Sequence, residues 1–237
     1  MKAKKVLALL LVAILMTGVC GCMNRNSNKS NRRESDQEYV ALMRNYIQEK
    51  YSVAVEIVDQ ILPQDGINTG LQENILVVRD ANGVLANVRA RLSSPYTFYD
   101  DYVEACTAAA IQKELDVQLS SGKGKVYVVV NHSDITHIDT SADNIASLTF
   151  VAAVAGNPDD RALEQLYRIY DSLRQKGYKK VYFLVGFTDG SPEFEKAINN
   201  YMVHGKSEWK DYSGKVFAEL YVTDQTLSFD EFKEKVN

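Results

Sequence analysis

The chain has 237 residues, with 31 acidic against 27 basic side chains and a formal net charge of −4. That acidic balance argues against nucleic acid or an anionic bilayer surface as the main partner. The length suits one large domain or two small ones, each with a real core.

In chain order the first signal is a leader. Lys2, Lys4 and Lys5 form a positive n-region, followed by the apolar run Val6 to Val19. That run has the length of a signal-peptide h-region and is too short to span a bilayer comfortably. It ends in Val19-Cys20-Gly21-Cys22, which resembles the lipobox of bacterial lipoproteins: a small aliphatic residue three before the modified cysteine and Gly or Ala just before it. Cys22 fits this pattern, whereas Cys20 would put the β-branched Val19 where a small residue is wanted. An ordinary cleaved secretory signal is the alternative. The resemblance implies a diacylglyceryl group on the Cys22 sulfur, removal of residues 1–21, and a mature chain anchored in the cell membrane on its extracytoplasmic side. Two acyl chains matter, because each buried methylene contributes about 0.8 kcal/mol and a single chain holds only marginally. The resemblance covers the leader alone.

Loss of Lys2, Lys4 and Lys5 would deepen the acidic excess, and Cys106 would be the one cysteine besides Cys22. An intrachain disulfide is then impossible. Cys106 lies among Ala105, Ala108, Ala109 and Ala110 and reads as a small buried hydrophobe, not as a nucleophile. Residues 22–34 are polar without apolar periodicity and read as a flexible tether between lipid and domain.

Ser35-Asp36-Gln37-Glu38 is a capping box, and Tyr39, Leu42, Met43, Tyr46 and Ile47 follow at helical spacing to about Tyr51. Val53 to Leu62 and Ile75 to Val78 read as strands. Asp80-Ala81-Asn82-Gly83 suits a tight hairpin, and an alternating strand runs from Val84 to Leu92. A second helix is expected from about Asp100 to Leu119, with Tyr99, Val103, Cys106 and Ala110 on one stripe. Residues 35–120 thus read as an α-β-β-β-α unit, a mainly antiparallel sheet packed by helices. Its element order is similar in outline to cystatin-like folds, a likeness that carries no function.

Ser120-Ser121-Gly122-Lys123-Gly124 reads as the internal boundary. Residues 125–237 then form a β-β-α-β-α-β-α unit. Its strands are Val126–Val130, Ile145–Ala155, Lys179–Phe187 and Val216–Val222. Asn157-Pro158-Asp159-Asp160 opens a helix with Asn157 as cap and Pro158 at the first turn, and Gly177 closes it. The strand-helix-strand piece predicts one parallel crossover. Ser191-Pro192-Glu193 opens a further helix, and Ser228-Phe229-Asp230-Glu231 caps the last. The whole is an α+β chain whose second half is α/β in character. The linker between the halves is short enough that one continuous domain is as admissible as two.

Chemistry-bearing residues are few. Asn131 to Asp139 gathers His132, Asp134, His137 and Asp139 after a buried strand, a set suited to a divalent metal such as zinc. On an extended segment, however, His132 and Asp134 face one way and His137 and Asp139 the other. The spacing matches no metalloenzyme motif, so a solvated loop is preferred and no metal is assigned. No Gly-x-Ser-x-Gly elbow is present. Ser120 to Lys125 is superficially similar to a phosphate loop, but it lacks the Gly-x4-Gly-Lys-Ser/Thr order and precedes a strand. Tyrosines beside carboxylates at Tyr96, Tyr99 and Tyr102 suit sugars or peptides; the competing reading has Pro95 to Tyr99 turning the chain into the helix, with Asp100 as cap. Phe187 to Gly190 reads as packed structure; Trp209, in the polar stretch 206–214, is a further binding candidate that would mark a contact site if exposed, with an edge packed under its loop as the preferred reading.

The sequence therefore points to a lipid-anchored extracytoplasmic binding or interaction protein without catalytic activity and without a cofactor. Its partners are the membrane, through the lipid, and an envelope protein or small ligand. The rival is an envelope enzyme, metal-dependent through His132, Asp134 and His137. A transporter-associated solute-binding lipoprotein is a third, weakened by length, because such receptors have two larger lobes.

Overall fold

A computed structural model describes residues 27–61, 73–91, 97–115, 119–131, 137–194, 198, 214–223 and 226–237. Residues Met1–Leu42 and Met43–Asn237 are separate compact units. The described part of the first is helical from Ser27, where helix α1 (Ser27–Tyr51) begins. The start at Ser27 rather than Ser35 carries helix into the stretch read as tether. Once a helix is nucleated, each added residue contributes a hydrogen bond at small cost, so polar residues can extend it. The rest of α1, from Met43, belongs to the larger unit. There Met43 and Ile47 are buried, as their spacing predicts. Ser52, at φ 55, takes the left-handed conformation that ends the helix.

Four strands follow as an antiparallel meander: β1 (Val55–Ile61), β2 (Glu73–Asp80), β3 (Leu85–Arg91) and β4 (Thr97–Asp100), in the order β1-β2-β3-β4. The register places Leu76, Val78, Ala86, Val88 and Ala90 on one face, all buried. Ile75, Val77, Leu85 and Ile61 cluster on the other. At the β2–β3 hairpin Gly83 N–H donates to the Asp80 carbonyl at 3.0 Å, so Ala81 and Asn82 are the central residues. Gly83 follows at φ +82. The Asp80 carboxylate accepts the Asn82 and Val84 amides at 2.9 and 2.8 Å, which selects this turn over one centred on Asn-Gly.

Two expectations need correction here. Residues 97–100 form a fourth strand, not a turn, with Phe98 opposite Ala90 and Tyr99 opposite Arg89. The second helix, α2, is therefore shorter (Tyr102–Glu114), and its N-cap is Asp101, not Asp100. Its buried residues are Tyr102, Val103, Thr107, Ala108 and Ile111. The expected stripe of Tyr99, Val103, Cys106 and Ala110 is displaced because Tyr99 sits on a strand, exposed, and because α2 is covered on two sides.

The second sheet has the order β5-β6-β7-β8: β5 (Gly122–Val130), β6 (Ile145–Ala155), β7 (Val181–Thr188) and β8 (Val216–Thr223). β6 and β7 are parallel, joined by helix α3 (Asp160–Gln175), and the outer pairs are antiparallel. The predicted crossover is present. The α3 cap is Asp159, whose carboxylate accepts the Ala162 amide at 2.7 Å, rather than Asn157. Leu163, Leu166, Tyr170 and Leu173 are buried on the sheet, and Gly177, at φ +86, closes the helix. The last helix, α4 (Phe229–Lys233), has the full predicted Ser228/Glu231 capping box. It inserts Phe232, fully buried, against Tyr167, Tyr170 and Phe183.

The two sheets are separate, and α2 lies against both β3 and β5. Toward β5 it does the work of a neighbouring strand. Gln112 accepts the Val126 amide at 3.1 Å and donates to the Gly124 carbonyl at 3.2 Å. Glu104, two turns earlier, accepts the Val130 amide at 3.2 Å. Three backbone groups on the otherwise open edge of β5 are thereby satisfied. The Gly-Lys-Gly segment read as a boundary is the start of β5. A Cβ on Gly124 would come within 2.5 Å of the Phe150 ring, and one on Gly122 would strike the Ala153 carbonyl oxygen. These glycines allow close approach, not flexibility.

A cleft at the carboxyl ends of the parallel strands

In open sheets ligands gather beyond the carboxyl ends of parallel strands, where the connections diverge and backbone groups are left to be satisfied. Here those ends are Ala155 on β6 and Thr188 on β7, beside the start of β5. They frame a cleft of about 410 Å³. Polar Ser120, Ser121, Lys123, Thr188 and Ser191 line it together with apolar Leu119, Ala153, Phe194 and Ile198.

The frame is tightly tied. Ala155 N–H donates to the Ser121 carbonyl and Gly156 N–H to the Thr188 carbonyl, each at 2.8 Å. Thr188 is buried, and its hydroxyl accepts the Gly190 amide at 3.3 Å. Gly190, at φ +78, lets the chain turn without a side chain in the opening. Asp189 braces the loop from outside, accepting the Ser191 and Lys215 amides at 3.1 Å each. Those backbone donors, Lys215 first, hold its carboxyl below the usual range. Residues 193, 194 and 198 are helical, and the Tyr127 hydroxyl donates to the Ile198 carbonyl, tying residue 198 to β5.

A lining that mixes hydroxyl-bearing and apolar side chains can hold a small amphiphilic molecule. Among the described lining residues there is no histidine, cysteine or carboxylate to take a proton from it. Nor does any group of His, Cys, Asp and Glu among the described residues gather as a metal site.

Two further polar clusters lie outside the cleft. Asp100, its side chain 1% exposed, accepts Lys50 Nζ at 2.6 Å and the Tyr46, Tyr51 and Tyr102 (backbone) donors at 2.8, 2.7 and 3.1 Å. Burial raises its carboxyl, but the Lys50 bond and the two phenols outweigh that and leave it below the usual carboxylate range. Tyr51 is pushed up to about 12, by burial above all. Every acceptor site is occupied, so this cluster ties α1 to β4. Next to it the Asp101 carboxylate accepts the Asn87 backbone amide at 2.6 Å and its side-chain amide at 3.1 Å. Desolvation pushes Asp101 up to about 7 and raises Glu104 as well.

The sequence-derived candidates do not converge. Cys22, Tyr96, His132, Asp134 and Trp209 lie outside the described residues. Tyr99 is exposed on β4 and His137 is exposed in its loop. Cys106 is half-buried, and burial raises its thiol, so it is not a ready thiolate. Local sequence does not mark the cleft residues: Ser120 to Gly124 reads as a boundary, Ser120 to Lys125 only superficially as a phosphate loop, and Phe187 to Gly190 as packing. The usable signal was the predicted parallel crossover, whose strand ends locate the cleft.

No family model matches the chain, and no curated protein does. Among solved structures it is similar to a DUF5037 family protein from Ruminococcus gnavus, with 13% identity over 81% of this chain and 96% of that one and a TM-score of 0.49.

Proposed function

We propose that the chain is a lipid-anchored extracytoplasmic protein that binds a small ligand in the cleft between Ser121, Thr188 and Phe194, and that it performs no chemistry on it. The observation that carries this reading is the cleft itself: a cavity of about 410 Å³ at the carboxyl ends of β6 and β7, lined by both polar and apolar residues. The anchor rests on the basic, apolar leader and Val19-Cys20-Gly21-Cys22. Among the described residues no helix is long and apolar enough to cross a membrane. The cystatin-like outline proposed for residues 35–120 is supported by a helix followed by an antiparallel meander, and it carries no ligand with it.

The test has two arms. Cys22→Ala should leave the precursor unprocessed or release the chain from membranes; a mature, membrane-bound variant would refute the anchor. Ala155 is exposed at the cleft rim, so Ala155→Phe should fold and fill the cavity. In a ligand screen read by thermal shift, hits bound in the cleft stabilise the wild type by mass action and not the filled variant. Hits that stabilise both alike would refute the site.

A further inference from the structure

Cations gather at the seam between the two sheets, although acidic residues outnumber basic ones in the chain as a whole. Arg79 stands opposite Leu85 and Arg89 opposite Tyr99, so both arginines leave the first sheet on the face of Asn87. On β5, Lys125, Tyr127 and Val129 alternate onto one face. The Asp101 carboxylate, fastened to Asn87, lies in the field of both Arg89 and Lys125, and Lys125 in turn lies in the field of Arg79. The seam thus joins cations from both sheets.

Arg79 donates to Glu56 at 2.7 Å. Neither Arg89 nor Lys125 makes an ion pair among the described residues, and both are only partly exposed. Lys125 Nζ has the Tyr127 ring at 5.4 Å, and burial lowers its affinity for the proton. The acids behind them are committed elsewhere. Asp101 is turned to Asn87 and Glu104 to the Val130 amide, and they reach the two cations only through space. A cation withdrawn from water without a paired anion costs free energy, which an anion from outside would offset. Tyr99 and Val129, 44% and 53% exposed, add apolar surface to the same two faces.

We propose that this seam docks an acidic segment of a partner protein, whose carboxylates meet Arg89 and Lys125 while its apolar residues cover Tyr99 and Val129. Arg89 and Lys125 are not among the residues lining the cleft, so this surface stands or falls apart from it. Two features select a peptide over denser polyanions. The cations are few and set among apolar side chains, which suits single carboxylates carried beside apolar residues. A net charge of −4 also repels an anionic bilayer or a nucleic acid before contact, whereas a short segment with a few carboxylates meets far less of that repulsion.

Selection from a random peptide library displayed on phage tests this, with the purified full-length chain as target and its Arg89→Gln/Lys125→Gln double variant as counter-target. Enriched peptides should carry Asp or Glu beside apolar residues. Synthesised and followed by fluorescence anisotropy, they should bind each single variant about tenfold more weakly than the wild type, and lose affinity between about 0.05 and 0.5 M salt. Enrichment of peptides without acidic residues, or none over the double variant, overturns the proposal. So does binding of phosphatidylglycerol vesicles through the same two residues, which would make a lipid surface the partner. The melting temperature of the double variant separates docking from architecture. It should stay close to that of the wild type; a large fall would show that the two cations hold Asp101 and Glu104 in place, and would overturn the docking role.

Discussion

Replacing Asp101 with asparagine should make the protein more stable at neutral pH, although it removes an acceptor of two hydrogen bonds. The Asp101 carboxyl stands at the N-terminus of α2 against Asn87 of β3, and desolvation lifts it from 3.8 to about 7. The Asn87 backbone bond, Arg89 and Lys125 oppose that rise, while Glu104 and Asp100 add to it. An acid raised in the folded state holds its proton more tightly there than in the unfolded chain. Between roughly pH 4 and pH 7 the unfolded chain is already ionised while the folded one is not. Unfolding free energy therefore falls as pH rises through that window, and it levels off above 7. At about 1.4 kcal/mol per unit, three units give on the order of 4 kcal/mol as an upper bound. Asparagine keeps the shape and cannot ionise. Its amide can donate where the neutral acid would, because the Asn87 amide can be turned to match. Urea denaturation of both proteins at pH 4, 5.5, 7 and 8.5 reads the effect as a difference, which cancels the titration of other groups. The gain from Asp101→Asn should be near zero or negative at pH 4, grow through pH 5.5, and reach a plateau of a few kcal/mol above 7. A difference independent of pH, or one that shrinks as pH rises, would refute the argument.

Asp100→Ala should cost roughly 3 kcal/mol at neutral pH, because it leaves Lys50 and two phenols without their shared acceptor; urea titration measures it, and a loss under 1 kcal/mol would contradict the tie between α1 and β4. Gly124→Ala should cost about 2 kcal/mol through collision with the Phe150 ring, and Phe150→Leu in the same chain should recover part of that loss. Additive losses in the double variant would show that the ring is not the obstacle. Phe232→Ala, which removes a fully buried ring from the α3–α4 contact, should cost about 3–5 kcal/mol in the same assay, whereas His137→Ala in its exposed loop should change stability by less than about 0.5 kcal/mol.

Periodicity reads well where one face is packed and local signals agree with it: the α3 stripe and the Ser228 capping box are both present, and in β3 the alternating Ala86, Val88 and Ala90 are buried, although Asn87 on the opposite face is buried as well. It reads poorly around residues 97–124. Tyr99 looks helical by spacing because aromatic residues suit strands and helices alike, and only pairing with Arg89 decides. Gly122 and Gly124 look like a linker because a glycine chosen for close approach is indistinguishable in one sequence from a glycine chosen for freedom. The hydroxyls of the cleft come from Ser120 and Ser121 before β5, Thr188 on β7 and Ser191 beyond it. Their convergence exists only once β5 pairs with β6 and β6 with β7. No local spacing encodes it. The Asp101–Asn87 pair was hidden in the same way, fourteen residues apart and joined across the sheet-to-helix turn.

That α2 serves two sheets has a consequence for how the chain loses its order. Glu104 and Gln112 complete the rim of β5, while Asp101 at the same helix's head is fastened to β3. If the first sheet melts, α2 loses its footing and the β5 backbone donors are left with water alone; if the second melts, Ala108 and Ile111 lose the apolar surface they cover. Neither sheet has a private stability. A cut in the Ser120 region, which looks harmless as a stretch of serine and glycine, would yield two fragments that each lack half of a shared surface, and the Met43–Asn237 unit should come apart as a single event rather than by halves.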